Sequence, residues 1–144
     1  MRLSRRNHRS DERIAQLREV STFAGCPDHQ LELVARLSDE VRIPEGATLT
    51  REGRTGHECF VLLEGEAIVT IGTEAVAVLG PGEIVGEMAL IEHEPRTATV
   101  TAWSPVRALV FTTQEFDSVL DHVPAVAMRV MQSLAARLRA VQAA

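Results

Sequence analysis

Between Pro44 and Phe111 the chain is cut into short apolar segments by glycine-bearing turns, and this pattern constrains the fold more than anything else in the sequence. Five segments read as strands: Cys59 to Leu63, Ala67 to Ile71, Ala75 to Leu79, Ala98 to Ala102 and Val106 to Phe111. They are rich in β-branched and apolar side chains, which suit a pleated, partly buried surface. Strand and turn alternate every roughly 8–12 residues, which favours a barrel or jelly-roll sheet over βαβ units.

Helical periodicity flanks this region. Ile14, Leu17 and Val20 recur at helical spacing, and Pro27-Asp28 opens a second helix with Leu31, Val34 and Leu37 on one face. After the strands, Thr112 and Glu115 have the spacing of a capping box and start a short helix through Leu120. Pro124 suits the first turn of a longer helix to about Gln142. Its expected apolar face is Ala127, Val130, Met131, Leu134, Leu138 and Val141, with Arg129, Gln132 and Ser133 opposite. Residues 1–9 carry no hydrophobic period and are expected to be disordered.

With 144 residues, 45% hydrophobic and 24% charged, the chain has the composition of one globular domain. No apolar run approaches the ~18 residues of a membrane span, and no apolar segment follows the basic N-terminus as a secretory signal requires. Cys26 and Cys59 are too few and too far apart for a disulfide framework, which points to a reducing cytoplasm. All 15 basic residues are arginine, as a GC-rich bacterial genome would favour. The net charge of −5 is uneven. Six arginines against Asp11, Glu12 and Glu19 give residues 1–20 a local +3, leaving −8 on the remainder. An acidic body argues against nucleic acid across the main surface. A solvated tail is the ordinary role of such a basic arm.

The chemistry concentrates in Gly80 to Val100, GPGEIVGEMALIEHEPRTATV. Gly86 lets a backbone approach a ligand closely and opens a short helix whose free amides favour an anion. Arg96 offers a planar fork that grips phosphate. Glu87, nine positions earlier, is acceptor-only when ionised, so it suits a sugar hydroxyl and repels phosphate. Together these residues suit a phosphorylated sugar held at both ends.

This stretch resembles the phosphate-binding cassette of the cyclic nucleotide-binding domain family, found in catabolite activator proteins and cyclic-nucleotide-dependent kinases. Val85-Gly86-Glu87-Met88-Ala89-Leu90 and Pro95-Arg96-Thr97-Ala98-Thr99-Val100 fill the motif at the family's Glu-to-Arg spacing. Upstream, Ile43-Pro44-Glu45-Gly46, Arg51-Glu52-Gly53 and Gly56 through Glu66 are similar to its early strands and turns. The likeness runs over residues 21 to 142.

The resemblance implies an α+β, mainly β fold. Its body is an eight-stranded antiparallel β-roll or jelly roll with N-terminal helices and two C-terminal helices. Residues 1–20 form the basic arm and short helix, and 21–144 the binding domain, with the β-roll about 40–111 and the C-terminal helices about 112–142. It implies a ligand, cyclic AMP or alternatively cyclic GMP, bound by Val85, Gly86, Glu87, Met88, Ala89, Arg96, Thr97 and Ala98. Glu87 would bond the ribose 2′-hydroxyl and Arg96 the exocyclic phosphate oxygens. Amides from Gly86 to Ala89 and at Ala98 would complete the cradle. A hydroxyl at Thr97 favours cyclic GMP in some relatives. The last helix would cover the base or meet an effector protein or second subunit.

Two positions depart from the pattern. Val85 replaces the usual aromatic, and His57 stands where many relatives place an acid that orients the arginine. A ligand-free interaction module on the same fold therefore stays open. A metal-dependent cupin-type enzyme would need a histidine cluster; the five histidines here are scattered without a metal-ligand pair, so no catalytic or metal residue is assigned. Relatives of the catabolite-activator type place a helix-turn-helix after the long helix. This chain stops at Ala144 with that helix, so direct DNA binding is not expected. Elsewhere Glu83 reads as solvated, Cys59 as a small buried hydrophobe and Trp103 as a packing residue.

Overall fold

In the structure, a computed structural model that describes residues 11–86 and 95–143, two helices precede eight strands and two helices follow them. Residues 11–18 form helix α1. Then come α2 (Asp28–Leu37), β1 (Asp39–Ile43), β2 (Thr48–Thr50), β3 (Glu58–Glu64) and β4 (Ala67–Ile71). They are followed by β5 (Glu74–Leu79), β6 (Ile84–Val85), β7 (Thr99–Ala102), β8 (Val106–Thr112), α3 (Thr113–His122) and α4 (Pro124–Ala143). The strands make two four-stranded antiparallel sheets, ordered β1-β8-β3-β6 and β2-β7-β4-β5. The fold is the α+β roll with flanking helices that the sequence implied.

Strand β3 explains the architecture. Its run Cys59-Phe60-Val61-Leu62-Leu63 is apolar throughout, and all five residues are buried. A strand with both faces covered needs no polar alternation. Cys59, Val61 and Leu63 face one apolar cluster, built with Leu17, Phe23, Leu31 and Val34 from the N-terminal segments and Phe116, Val119 and Val126 from the C-terminal ones. Phe60 and Leu62 face a second cluster with Ala67, Val85, Val100, Ala102, Val106 and Ala108, between the sheets. Strand β8 divides the same way, with Leu109 and Phe111 toward the helices and Val106 and Ala108 toward the other sheet. The rings of Phe111 and Phe116 meet edge to face at 5.5 Å, fixing α3 on its own preceding strand.

Three strands lie outside the five that the apolar pattern picks out. β1 carries Asp39, Glu40 and Arg42, and β2 and β6 have three and two residues. Each is a strand because a neighbour supplies the ladder: β8 for β1, β7 for β2 and β3 for β6. Arg107 of β8 adds a cross-strand tie by pairing with Glu40 and, at 2.8 Å, with Glu64 of β3.

The capping box forms as read. The Glu115 amide donates to Thr112 Oγ1 at 3.1 Å, and Glu115 Oε1 accepts from the Thr112 amide at 2.8 Å. Helix α2 begins one residue after Pro27, which occupies the N-cap without a side-chain bond. Cys59 is buried, as expected.

Three expectations are corrected. Trp103 is 63% exposed, so it does not pack into either cluster. Its amide is held by the Glu66 carbonyl at 2.8 Å, which leaves the indole outside a tight turn. On α4 the described residues that face inward are Val126, Val130 and partly Leu134, whereas Met131 and Leu138 are 55% and 59% exposed; the Val141 side chain lies outside the described residues. That helix is apolar around much of its circumference, and docking selects the stripe. Glu83 is not simply solvated: Oε2 accepts from the Gly80 amide at 2.6 Å, and Oε1 lies 3.9 Å from Arg129 Nη2 on α4. Among the described residues no helix is long and apolar enough to cross a membrane.

Candidate functional site

Arg96 sits just before β7, and its backbone is fixed before its side chain is considered. Its amide donates to the Arg54 carbonyl at 2.9 Å, and its carbonyl accepts from the Gly53 amide at 2.8 Å. This two-bond clamp joins the β2–β3 connection to the segment entering β7. Below it, Thr50 Oγ1 donates to the Ala98 carbonyl at 3.3 Å, and the Glu52 amide donates to Thr99 Oγ1 at 3.0 Å.

The Arg96 side chain then crosses to the end of β6. Nη1 donates to the Gly86 carbonyl at 3.0 Å and Nη2 to the Glu58 carbonyl at 2.5 Å. The acid at position 58 thus supports the arginine through its backbone, where the sequence left that support open because the Glu58 side chain alternates away. His57 is exposed, and two of the groups that orient the guanidinium are main-chain carbonyls. Two glycines make room. A Cβ on Gly56 would lie 2.3 Å from Arg96 Nε and Nη2, and one on Gly86 would lie 2.5 Å from Nη1. Gly86 also has φ +92°, a left-handed conformation that glycine adopts without steric cost.

Val85 is buried on β6, paired with Phe60 across the ladder and part of the inter-sheet cluster. The smaller side chain at the usual aromatic position therefore acts on packing beneath the loop. Ala98 is half-buried beside β2, and Thr97 is exposed. Glu87, Met88 and Ala89 lie outside the described residues, as does the Glu92-His93-Glu94 insert. Among the site residues read from the sequence, the structure thus brings Gly86 and Arg96 into direct contact and seats Val85 and Ala98 around them.

Arg96 borders a cavity of about 300 Å³, between β2, the β2–β3 connection and the start of β3. Leu49 and Phe60 give it an apolar part; Thr50, Arg51, Arg54 and Thr55 give it a polar, cationic wall. Reading the sequence missed this wall, because the stretch from Arg51 to Thr55 has no periodicity and becomes a wall only when its turn folds against Arg96. Gly56 was visible as a turn glycine, without its contact to the guanidinium. Among the described residues no group of three His, Cys, Asp or Glu side chains is arranged to hold a metal.

The sequence profile of the cyclic nucleotide-binding domain matches residues 40–123, which span β1 to the end of α3. The chain belongs to the cyclic nucleotide-binding domain family. Among curated relatives it is 33% identical over 136 residues to acetyltransferase Pat of Mycolicibacterium smegmatis, covering 91% of this chain and 40% of that protein. It is 39% identical over 85 residues to a cyclic nucleotide-gated potassium channel of Mesorhizobium japonicum, covering 59% of this chain and 23% of the channel. The chain thus spans well under half the length of these relatives.

Solved structures of the cyclic nucleotide-binding family agree in fold. A point mutant of a cAMP-binding acyltransferase from Mycobacterium smegmatis superposes with a TM-score of 0.77 at 29% identity, covering 91% of this chain and 42% of that one. A cAMP-bound PfPKA-R structure gives 0.81 at 19% identity over 92% of this chain and 46% of its own, a likeness of fold.

Proposed function

We propose that this chain binds a cyclic nucleotide, cyclic AMP before cyclic GMP, and passes a ligand-induced movement of α4 to an effector protein or a second copy of itself. The observation that carries this reading is the Arg96 guanidinium, held by the Gly86 and Glu58 carbonyls at the edge of a nucleotide-sized cavity. A fork oriented in advance loses little freedom when a phosphate arrives, so it binds an anion more tightly than a mobile arginine does. Two similar structures, a cAMP-binding acyltransferase and a cAMP-bound PfPKA-R, support cyclic AMP as the ligand.

In this reading Arg96 takes the exocyclic phosphate oxygens and Glu87 the ribose 2′-hydroxyl. Amides from Gly86 through Met88 and Ala89, and at Ala98, complete the cradle; Val85 supports it from below, and Thr97 borders the ligand. Residues 21–144 act as the binding domain and 1–20 as its arm. The output is conformational rather than catalytic. Glu83 supplies a route to α4, since its carboxylate holds the turn before β6 and faces Arg129.

Calorimetric titration with cyclic AMP, cyclic GMP and non-cyclic AMP tests the proposal. Cyclic AMP is expected to bind, with AMP much weaker. Arg96→Gln should cost about 3–5 kcal/mol of binding, the scale for breaking a desolvated ion pair. At about 1.4 kcal/mol per tenfold this is roughly a hundred- to several-thousand-fold loss. Equal affinity of the folded variant and the native protein would defeat the assignment.

A further inference from the structure

The cavity wall contains more positive charge than one cyclic phosphate needs, and the backbone places that charge beside Arg96. The Arg54 amide donates to the Arg51 carbonyl at 3.2 Å, so these two arginines stand at the two ends of one tight turn. The Arg54 carbonyl in turn accepts from the Arg96 amide at 2.9 Å. Two arginines on one turn and a third on the segment bonded to it therefore line the same cavity. Arg51 and Arg54 are exposed and Arg96 half-buried, so the first two stand at the mouth.

The acid nearest in sequence to Arg51 and Arg54 is engaged elsewhere. Glu52 lies between Arg51 and Arg54, but its Oε2 accepts from the Gly72 amide at 2.9 Å, at the β4–β5 turn. Arg51 makes only a 3.4 Å contact with Thr48 Oγ1, and no carboxylate pairs with Arg51 or Arg54 among the described residues. Elsewhere this acidic chain pairs Arg18 with Asp28, Arg107 with Glu40 and Glu64, and Arg129 with Glu83. Glu58 and His57 also border the cavity, and Glu58 is the one acid among its described lining residues. Like charges on one cavity wall repel one another, and a bound anion relieves that repulsion.

We infer that Arg51 and Arg54 form a second anion subsite at the cavity mouth, so that the preferred ligand is a nucleotide carrying two phosphate groups. One phosphate sits at Arg96 and the other between Arg51 and Arg54, with the Thr48 and Thr55 hydroxyls beside it. The inference rests on the cyclic nucleotide reading for Arg96 and adds a second contact to it. An open cavity of about 300 Å³ has room for one nucleotide-sized body. The second phosphate therefore belongs either to that same nucleotide or to a second one projecting from the mouth.

The test titrates the full chain with cyclic AMP, adenosine 3′,5′-bisphosphate and cyclic di-AMP at low and physiological salt. At least one two-phosphate ligand should bind about tenfold more tightly than cyclic AMP, the worth of one charge-assisted hydrogen bond. The double variant Arg51→Gln, Arg54→Gln should erase that ratio, and Arg54→Gln alone should reduce it. An advantage for the bisphosphate places the second phosphate on the same nucleotide, and one for cyclic di-AMP places it on a second. Cyclic AMP binding at least as tightly as both overturns the subsite alone, as does a ratio that survives the double substitution. Failure of every ligand, cyclic AMP included, overturns the receptor reading and this inference with it.

Discussion

Gly56 and Arg96 form one packed unit: a Cβ at Gly56 would lie 2.3 Å from Arg96 Nε and Nη2 and 2.6 Å from Cζ. The guanidinium occupies the space that any other residue at position 56 would fill with a side chain. Gly56 is not among the positive-φ glycines, so alanine there strains no backbone. Gly56→Ala should therefore keep the fold, with stability within about 1 kcal/mol of the native protein. It should still weaken cyclic AMP binding by about tenfold or more, because Arg96 must move off its two carbonyls. Gly86→Ala adds the left-handed φ and a 3.0 Å approach to the Glu58 carbonyl, so it should also lower stability by about 1–2 kcal/mol. Paired denaturation and titration of both variants would separate the two effects; a Gly56→Ala protein with native affinity contradicts the packing argument.

Glu83 should matter more to stability than the arginine it faces. The Arg129 pair is 3.9 Å long with both side chains about one-third exposed, so Arg129→Ala should cost no more than about 1 kcal/mol. Glu83→Ala also frees the Gly80 amide, whose bond to Oε2 is 2.6 Å, and should cost about 1–2 kcal/mol. Urea denaturation of both variants checks the order, and hydrogen exchange at Gly80 should accelerate only in Glu83→Ala.

Thr112 ends β8 and caps α3 in the same residue. Thr112→Ala removes the side-chain half of the capping box while leaving its backbone bond to Glu115 in place. The expected loss is about 1 kcal/mol by chemical denaturation. A loss near zero would mean that the Phe111–Phe116 contact alone fixes the start of the helix.

The two thiols should be slow. Burial pushes the Cys26 thiol above its ordinary range, because a partly desolvated thiolate is disfavoured, and Cys59 is buried in β3. A raised pKa leaves less thiolate at any pH below it. Reaction of Cys26 with a maleimide near pH 7.5 should therefore lag a free thiol and accelerate as the pH rises beyond the usual thiol range. Cys59 should react only on unfolding. Mass spectrometry of partly labelled native protein reads both; fast labelling of Cys59 would contradict its place in the core.

Much of the architecture was legible because its signals are local. The five main strands, the Thr112–Glu115 cap and the long helix after Pro124 each rest on residues within a few positions of one another. The motif from Val85 to Val100 identified the family for the same reason, since its meaning lies in spacing along the chain. β1, β2 and β6 were not in that pattern, because a two- or three-residue or charged strand exists only when its neighbour provides the ladder.

The sequence by itself determined that the chain rolls into a sheet with helices at both ends, and that Gly86 and Arg96 belong to one motif. Which stripe of α4 faces inward was decided by tertiary docking, because Met131 and Leu138 are as apolar as Val126 and Val130. The same holds for what steadies Arg96. Backbone carbonyls at Gly86 and Glu58 leave no trace in side-chain identity, so only the folded chain reveals that they hold the guanidinium. The cationic wall of Arg51 and Arg54 depends likewise on a turn, and on Glu52 being held elsewhere by Gly72, contacts between segments that no local pattern encodes.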